Sequence, residues 1–211
     1  MAIWIVIIAS TGILPTCITW SKKPGVTVWC GISSVGIIGP YFFDGCVNGK
    51  SYLEMLKHFL IPRLAAGHYD DDVMFQQDGA PPHFATAVRE FLHEKFPGRW
   101  IGRRGPIEWP ARSPDLTPAD FYLWGVLKDK VYCRNPMTLD QLSLVISEQI
   151  QTIDVNLCRK VCRSVRDRMA MCIRNDGGHF EHLLWSSFCS SHFPVIIKWK
   201  TTLTMNFALL F

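Results

Sequence analysis

Two aspartates, Asp78 and Asp120, lie where rigid elements are expected to hold them. Asp78 closely follows the apolar residues Val73–Phe75, which indicate a strand, and Asp120 follows the Pro-rich turn Ser113–Pro118 in the first turn of a predicted helix. Two-metal phosphoryl-transfer sites place carboxylates around two cations that are roughly 4 Å apart. The pair therefore suggests such chemistry, provided that the fold brings these two residues together across the 41 residues that separate them.

Each aspartate also has a purely structural explanation. Asp78 precedes Gly-Ala-Pro-Pro and could cap a helix predicted from Pro81 to about Phe96. Thr117 could cap the second helix, and an acid at the third helical position favours the helix dipole. Capping aspartates outnumber metal-ligand aspartates, so the spacing alone favours the caps.

Two longer stretches carry a family resemblance. FQQDGAPPHFATAVREFL and WPARSPDLTPADFYLWG resemble the second and third catalytic blocks of the mariner-type transposases, in the DDE superfamily of ribonuclease H-like nucleases, and the similarity extends more weakly over about Lys23 to Leu184. The resemblance implies that Asp78 and Asp120 are catalytic metal ligands for Mg²⁺ or Mn²⁺, and that Asp115 is a turn residue and not a ligand. It also implies DNA as a partner, with a homo-oligomer or a related transposase chain as a further one.

The resemblance implies a third carboxylate, on a strand that precedes the first hairpin, and this chain offers no acid there. Residues 1–43 contain no Asp or Glu, and the earliest acid is Asp44. The apolar run Ile3–Ala9 is expected to fill the first strand's place in the sheet without bringing a ligand. We therefore expect a nucleic-acid-binding remnant of a two-metal strand-transfer enzyme that is inactive alone. The alternative is an active or partner-completed DDE endonuclease or transposase.

The order of elements predicts an α/β fold: a ribonuclease H-like mixed sheet flanked by helices, with its first strand replaced or missing. Val26–Ile32 and Ile37–Phe43 form a predicted hairpin in which Pro40 marks an edge or a bulge. Helices are predicted from Ser51, from Asp120 to about Tyr132, and then from the caps near Thr138 and Val155. The expected organisation is a non-family apolar segment (1–22), the transposase-like domain (23–184) and a non-family apolar tail (185–211).

Basic residues cluster between the two acidic motifs. Seven basic and four acidic residues lie between Arg99 and Arg134. We predict that Arg103, Arg104 and Arg112 bind nucleic acid, because guanidinium groups neutralise phosphates. The interleaved Trp100 and Trp109 are expected to be exposed and to stack on unpaired bases.

Two further features have an alternative explanation each. His83, in DGAPPH, could contact a nucleic-acid phosphate or could be a partly buried packing residue. The predicted helix after Val155 places apolar residues on one face and Arg159, Lys160 and Arg163 among the basic residues of the other. That basic face could bind DNA, although a solvated helix face is its usual meaning.

Composition sets the outer bounds. The chain has 211 residues, 48% of them hydrophobic, with a net charge of +4 and eight cysteines without a CxxC motif. These values exclude a disordered chain, a disulfide framework and a regular zinc site. No membrane span is predicted, and we expect a nuclear protein, with a secretory protein as the alternative because of the apolar amino-terminal segment.

Overall fold

The computed structural model describes residues 6–15, 25–67, 69, 73–109, 113–178 and 180. The chain divides into two compact units, residues 1–170 and residues 171–211, of which the second is described only at 171–178 and 180. The predicted tail after residue 184 and the acidic run 70–72 therefore lie outside the described residues.

The first unit contains a six-stranded mixed sheet, which confirms the predicted fold class. Its strand order is β3-β2-β1-β4-β5-β6. The β1–β2 and β2–β3 pairs are antiparallel, whereas β1, β4, β5 and β6 run parallel to one another. The strands are β1 (Val6–Pro15), β2 (Gly25–Ser33), β3 (Gly36–Phe43), β4 (Met74–Gln77), β5 (Trp100–Gly102) and β6 (Ile107–Glu108).

Strand β1 lies in the middle of this sheet. Val6–Ala9 pairs with Met74–Gln77 of β4, and Ile8–Pro15 pairs with β2. The amino-terminal apolar run thus supplies a strand in the position that the sequence assigned to it. The remainder of the predicted 1–22 segment lies outside the described residues.

The hairpin β2–β3 agrees with the prediction from β-branched and aromatic content. Strand β3 is an edge strand, and its register with β2 shifts between Trp29 and Gly31. Pro40 lies in that edge strand beside the irregularity, where its missing N–H costs no ladder hydrogen bond. Both parts of the Pro40 prediction are confirmed.

Five helices of the described chain cover the sheet. Helix α1 contains a π-helical turn in which the Ile61 amide donates to the Leu56 carbonyl, directly before Pro62. The helix continues past Pro62 to Ala66, so Pro62 does not end the helix. The π-helical turn just before Pro62 accommodates the backbone N–H that proline lacks. The helices are α1 (Gly49–Met55, Leu56–Leu60 and Ile61–Ala66), α2 (Thr86–Lys95), α3 (Ala119–Leu123 and Trp124–Tyr132), α4 (Leu139–Gln151) and α5 (Val155–Arg174).

Alternate residues of the sheet feed two separate hydrophobic cores. Trp29 and Phe75 pack on one face with α1 and α2, whereas Val28 and Cys30 pack on the other with α3, α4 and α5. This alternation follows from the two-residue period of a strand. The fold therefore has three layers, with helices on both faces of one sheet. The loop that carries Asp78 follows the carboxyl end of β4.

The remaining described features are simple. No helix among the described residues is long and apolar enough to cross a bilayer. Six described cysteines are free thiols, at positions 30, 46, 133, 158, 162 and 172. In the second unit, Gly177 adopts a positive φ and its amide donates to the Cys172 carbonyl, which is a common way for a helix to end at a glycine.

Candidate nucleic-acid and metal site

Asp78 directly follows the carboxyl end of β4 and belongs to a loop, not to a helix start. Its Oδ1 accepts a hydrogen bond from the Ala80 amide at 3.0 Å, and it forms a second hydrogen bond with His83 Nδ1 at 2.5 Å. Residues 81–84 form a turn, and α2 begins only at Thr86 after the uncapped Ala85. The predicted helix start at Pro81 is therefore wrong, because Pro81 and Pro82 occupy that separate turn. Asp78 is therefore not the cap of α2, and the helix-cap explanation of this residue is wrong as well.

His83 holds Asp78 from the interior of the protein. Its side chain is 1% exposed, and its ring lies 4.1 Å from the Tyr52 ring, centroid to centroid. The Tyr52 hydroxyl donates to Gln77 Oε1 at 3.1 Å, and Gln77 Nε2 donates to the His83 carbonyl at 2.8 Å. These contacts favour the packing alternative for His83 over a phosphate contact. A buried polar chain therefore joins α1, the end of β4 and the Asp78 loop.

The same neighbours set the charge of Asp78. Burial by itself raises the pKa of the carboxyl group, but the hydrogen bond and charge of His83, with the Ala80 amide, outweigh burial and hold the pKa below its ordinary 3.8. Asp78 is one-third exposed, so one side of the carboxylate still faces solvent. The group is an anion at neutral pH and is held in one orientation.

Asp120 lies in the π-helical first turn of α3. A 3₁₀ turn, Pro114–Leu116, precedes it, and the Asp120 amide donates to the Thr117 carbonyl at 2.8 Å. The Thr117 hydroxyl turns back to donate to the Ser113 carbonyl at 3.2 Å, so the predicted side-chain cap by Thr117 is wrong. Thr117 is 2% exposed, and at this buried position the Ser113 carbonyl is the acceptor of its hydroxyl group.

A distant arginine fixes this turn. Arg168 of α5 donates to the Asp115 carbonyl at 2.8 Å, and its guanidinium carbon lies 3.8 Å from the centroid of the Phe121 ring. Two turns further along α3, burial lowers the pKa of Lys128, and the charge of Asp120 opposes that shift. The Asp120 segment is thus supported across the fold by α5.

The two aspartates belong to segments that adjoin or contact β1. Asp78 follows β4, which pairs with β1, and the first turn of α3 packs against β1 and β2. Within the described residues, however, no group of three or more His, Cys, Asp or Glu side chains could hold a metal ion. The described residues therefore present no complete set of metal ligands, and joint metal binding by Asp78 and Asp120 stays a prediction.

The predicted arginines 103 and 104 form a turn beside Asp78. Gly105 donates to the Gly102 carbonyl at 3.0 Å, and Arg104 has a φ of 57°. A Cβ on Gly105 would lie 2.8 Å from Cζ3 of Trp100, so the turn rests directly on that indole ring. Both arginine side chains are exposed. Arg112 lies outside the described residues.

The aromatic partner of these arginines is Phe84, which the sequence analysis missed. The guanidinium carbons of Arg103 and Arg104 lie 4.4 and 5.2 Å from the Phe84 ring centroid. Trp100 and Trp109, by contrast, are 0% and 9% exposed. The expectation that they are exposed and stack on bases is wrong, because Trp100 forms β5 and packs into the core.

The second basic region has the predicted arrangement. Cys158 and Val161 are buried, whereas the basic side chains of the opposite face of α5 are exposed. These exposed residues are Arg159, Lys160, Arg163, Arg166 and Arg174.

Comparison with known proteins gives one close sequence relative. The chain is 31% identical over 155 residues to the Tc3 transposase of a transposable element from Caenorhabditis elegans. The match covers 72% of this chain and 44% of the relative, so the chain spans less than half the length of that protein. No family model matches the chain.

Solved structures with the same fold include the catalytic domain of the Mos1 mariner transposase. A structure of that domain with raltegravir and Mn matches with a TM-score of 0.69 at 19% identity, over 83% of this chain and 84% of the other. The Mos1 paired-end complex with the left transposon end matches with a TM-score of 0.70 at 18% identity, over 83% of this chain and 56% of the other. At these identities the likeness establishes the fold.

Proposed function

We propose a function from one premise: the chain is a homologue of the mariner-type transposase catalytic domains and shares their ribonuclease H-like fold. On that premise it is a transposase-derived domain that binds DNA without sequence specificity. It is a remnant of a two-metal strand-transfer enzyme, and it does not cut DNA by itself.

The observation that carries the proposal is the composition of β1. This strand lies between β2 and β4, and none of its residues Val6–Pro15 is Asp or Glu. Its Ala9 pairs with Gln77, the residue before Asp78, so β1 passes closest to Asp78 without an acid. Mg²⁺ requires near-ideal octahedral oxygen ligands, and a missing anionic ligand weakens its binding. Asp78 and Asp120 therefore remain as an incomplete set.

DNA binding is supported by charge placed at the same end of the sheet. Arg103 packs against Gly79, where an added Cβ would lie 3.7 Å from the arginine Cδ. Arginine neutralises phosphate groups, and neutralisation releases counterions. The relatives contribute the same expectation, because one of the Mos1 structures is a complex with a transposon end.

A plasmid-nicking assay tests the catalytic half of the proposal. Supercoiled plasmid is incubated with the chain and with its Asp78→Ala variant, in Mg²⁺ and in Mn²⁺. We expect equal, background nicking in all four reactions. Robust metal-dependent nicking that disappears in Asp78→Ala would show that the chain is an active nuclease.

A binding titration tests the other half. We expect the affinity for a labelled duplex to fall steeply as salt rises, at any sequence of the duplex. The double change Arg103→Glu with Arg104→Glu is expected to weaken binding strongly. A flat salt response, or unchanged affinity in that variant, contradicts DNA binding by this surface.

A second candidate is a partner-completed nuclease or transposase. The buried chain through His83 favours it, because Asp78 is still held charged and oriented. A related full-length transposase that carries an inactivating change at the position aligned with Asp78 provides the test. Cleavage by the mixture, but by neither protein alone, would support this candidate over the first.

We further propose nuclear localisation and assembly with a second copy or a related transposase chain. A fluorescent fusion is expected to give nuclear signal. Signal in the secretory pathway would instead support the secretory alternative, and size measurement in solution would test the oligomer.

A further inference from the structure

A third arginine, Arg89 of α2, shares the Phe84 ring with Arg103 and Arg104. Its guanidinium carbon lies 5.0 Å from the ring centroid, and its Nε donates to the Phe84 carbonyl at 3.3 Å. The three cations therefore converge on one aromatic side chain from two different segments of the chain, a helix and the turn that follows β5.

This convergence concentrates positive charge on one exposed surface. No ion pair joins Arg89, Arg103 or Arg104 to a carboxylate among the residues that the structure describes. Since each guanidinium carbon is within 5.2 Å of the ring centroid, any two of them are at most about 10 Å apart. Three like charges at such distances repel one another, and an anion bound between them removes that repulsion.

The aromatic ring explains how the charges stay together. A guanidinium group is planar and packs on an aromatic face, which leaves its edge donors available. Arg89 uses its Nε on the Phe84 carbonyl and Nη2 on the Thr86 hydroxyl, at 3.3 Å each, out of five N–H donors. Its remaining donors can reach a phosphate.

The spacing suits a nucleic-acid strand. Neighbouring phosphates of one strand of duplex DNA lie less than about 10 Å apart, so a cluster that is at most about 10 Å across can contact consecutive phosphates. The cluster lies next to the loop of Asp78, because Arg103 packs on Gly79. We infer that Phe84, Arg89, Arg103 and Arg104 form one phosphate-binding platform that holds consecutive phosphates of a single DNA strand beside Asp78. The inference rests on the proposed DNA binding.

The test is the salt dependence of binding to a labelled DNA duplex, for wild type and four variants. Arg89→Gln removes one charge and should lower the slope of log affinity against log salt by about 0.9, with a roughly tenfold loss of affinity at moderate salt. Arg89→Lys keeps the charge but not the planar group, so the slope should stay while the affinity falls.

Phe84→Leu and Arg63→Gln complete the set. Phe84→Leu keeps all three arginines, so it should weaken binding without changing the slope by a full unit. Arg63 is a matched control, an exposed arginine whose guanidinium carbon lies 3.7 Å from the Phe59 ring centroid. Arg63→Gln should bind as wild type does. Circular dichroism and thermal unfolding of each variant verify that it folds, and if Arg89→Gln does not fold, the loss of affinity in Arg89→Lys tests the role of Arg89.

Three outcomes distinguish failure of the phosphate-binding platform from failure of DNA binding itself. Steeply salt-dependent binding that is unaffected by the Arg89 and Phe84 variants overturns the platform and leaves DNA binding intact. Equal losses in Arg89→Gln and Arg63→Gln also overturn it, because they indicate a general charge effect. Absence of salt-dependent binding in wild type overturns both.

Discussion

The segments that carry Asp78 and Asp120 are supported over very different distances. Asp78 is held by its own loop, through Ala80 and His83, and by a buried polar chain to Tyr52. The turn before Asp120 depends on Arg168, 53 residues after Asp115. A local, buried support keeps its geometry as long as the core stays folded, whereas a support on another helix can loosen alone. The Asp78 side should therefore be the more rigid of the two.

The largest effect should come from breaking the buried chain. Gln77→Leu removes the hydrogen bonds that Gln77 makes with the Tyr52 hydroxyl and with the His83 carbonyl, and each buried hydrogen bond that is lost costs about 1–2 kcal/mol. We expect the free energy of unfolding to fall by about 2–4 kcal/mol in urea titrations. Gln151→Leu, on the exposed end of α4, is the control and should change it by less than about 0.5 kcal/mol. Equal losses of unfolding free energy in the two variants would show that the buried hydrogen bonds of Gln77 add no stability to the Asp78 side.

Removal of the remote support should cost less. Arg168→Gln loses the hydrogen bond to the Asp115 carbonyl and the contact with Phe121, together about 1–3 kcal/mol of unfolding free energy. Arg166→Gln, an exposed neighbour on the same helix, should be nearly neutral. If Arg168→Gln is also neutral, the Asp120 turn does not depend on α5.

A pH-dependent effect should follow from His83→Gln. The folded-state pKa of Asp78 is depressed, so its stabilising contribution is present above its ordinary pKa of 3.8 and is lost as the pH falls below that value. The variant lacks the His83 charge, which raises the pKa of Asp78 and reduces this contribution. The stability gap between wild type and variant should therefore be larger at about pH 5 than at about pH 3 in urea titrations. A constant gap would assign His83 to packing alone.

The smallest effect is a change of thiol reactivity at Cys162 on α5. Burial, and secondarily Cys158, raises the pKa of Cys162 to about 12, so alkylation at about pH 8 should be slow, while the exposed Cys133 reacts readily. Mass spectrometry should find Cys162 alkylated faster in Arg168→Gln but not in Gln77→Leu. Faster reaction in both variants would mean that the two supports are coupled.

Much of the fold could be predicted because hydrophobic period and proline chemistry act locally. The hairpin, the edge position of Pro40 and the strand in the amino-terminal apolar run all follow from such patterns. The start of α2 could not be predicted, since tandem prolines are compatible with a first helical turn and with a separate turn. The preference here depends on the packing of His83 against Tyr52 of α1, which is a tertiary contact.

The candidate site was only partly predictable for the same reason. Motifs indicated Asp78, Asp120 and the pair Arg103–Arg104. The aromatic residues were assigned wrongly, because the tryptophans are buried and Phe84 contacts the arginines. Tryptophan beside arginine suggests a stacking surface, yet Trp100 lies in a strand that the sequence did not indicate. Phe84 gave no signal, because the Arg103–Arg104 turn, which is about 20 residues away in the sequence, reaches it only in the fold.

The central strand has one more consequence. Among the described residues, β4 pairs with β1 over Val6–Ala9, whereas β2 pairs with β1 over Ile8–Pro15, so the ladder between β1 and β4 is the shorter of the two. This short ladder between β1 and β4 joins the antiparallel strands β1–β3 to the parallel strands β4–β6. Transient opening at this ladder would expose the amides of β4 to hydrogen exchange while the antiparallel strands stay protected.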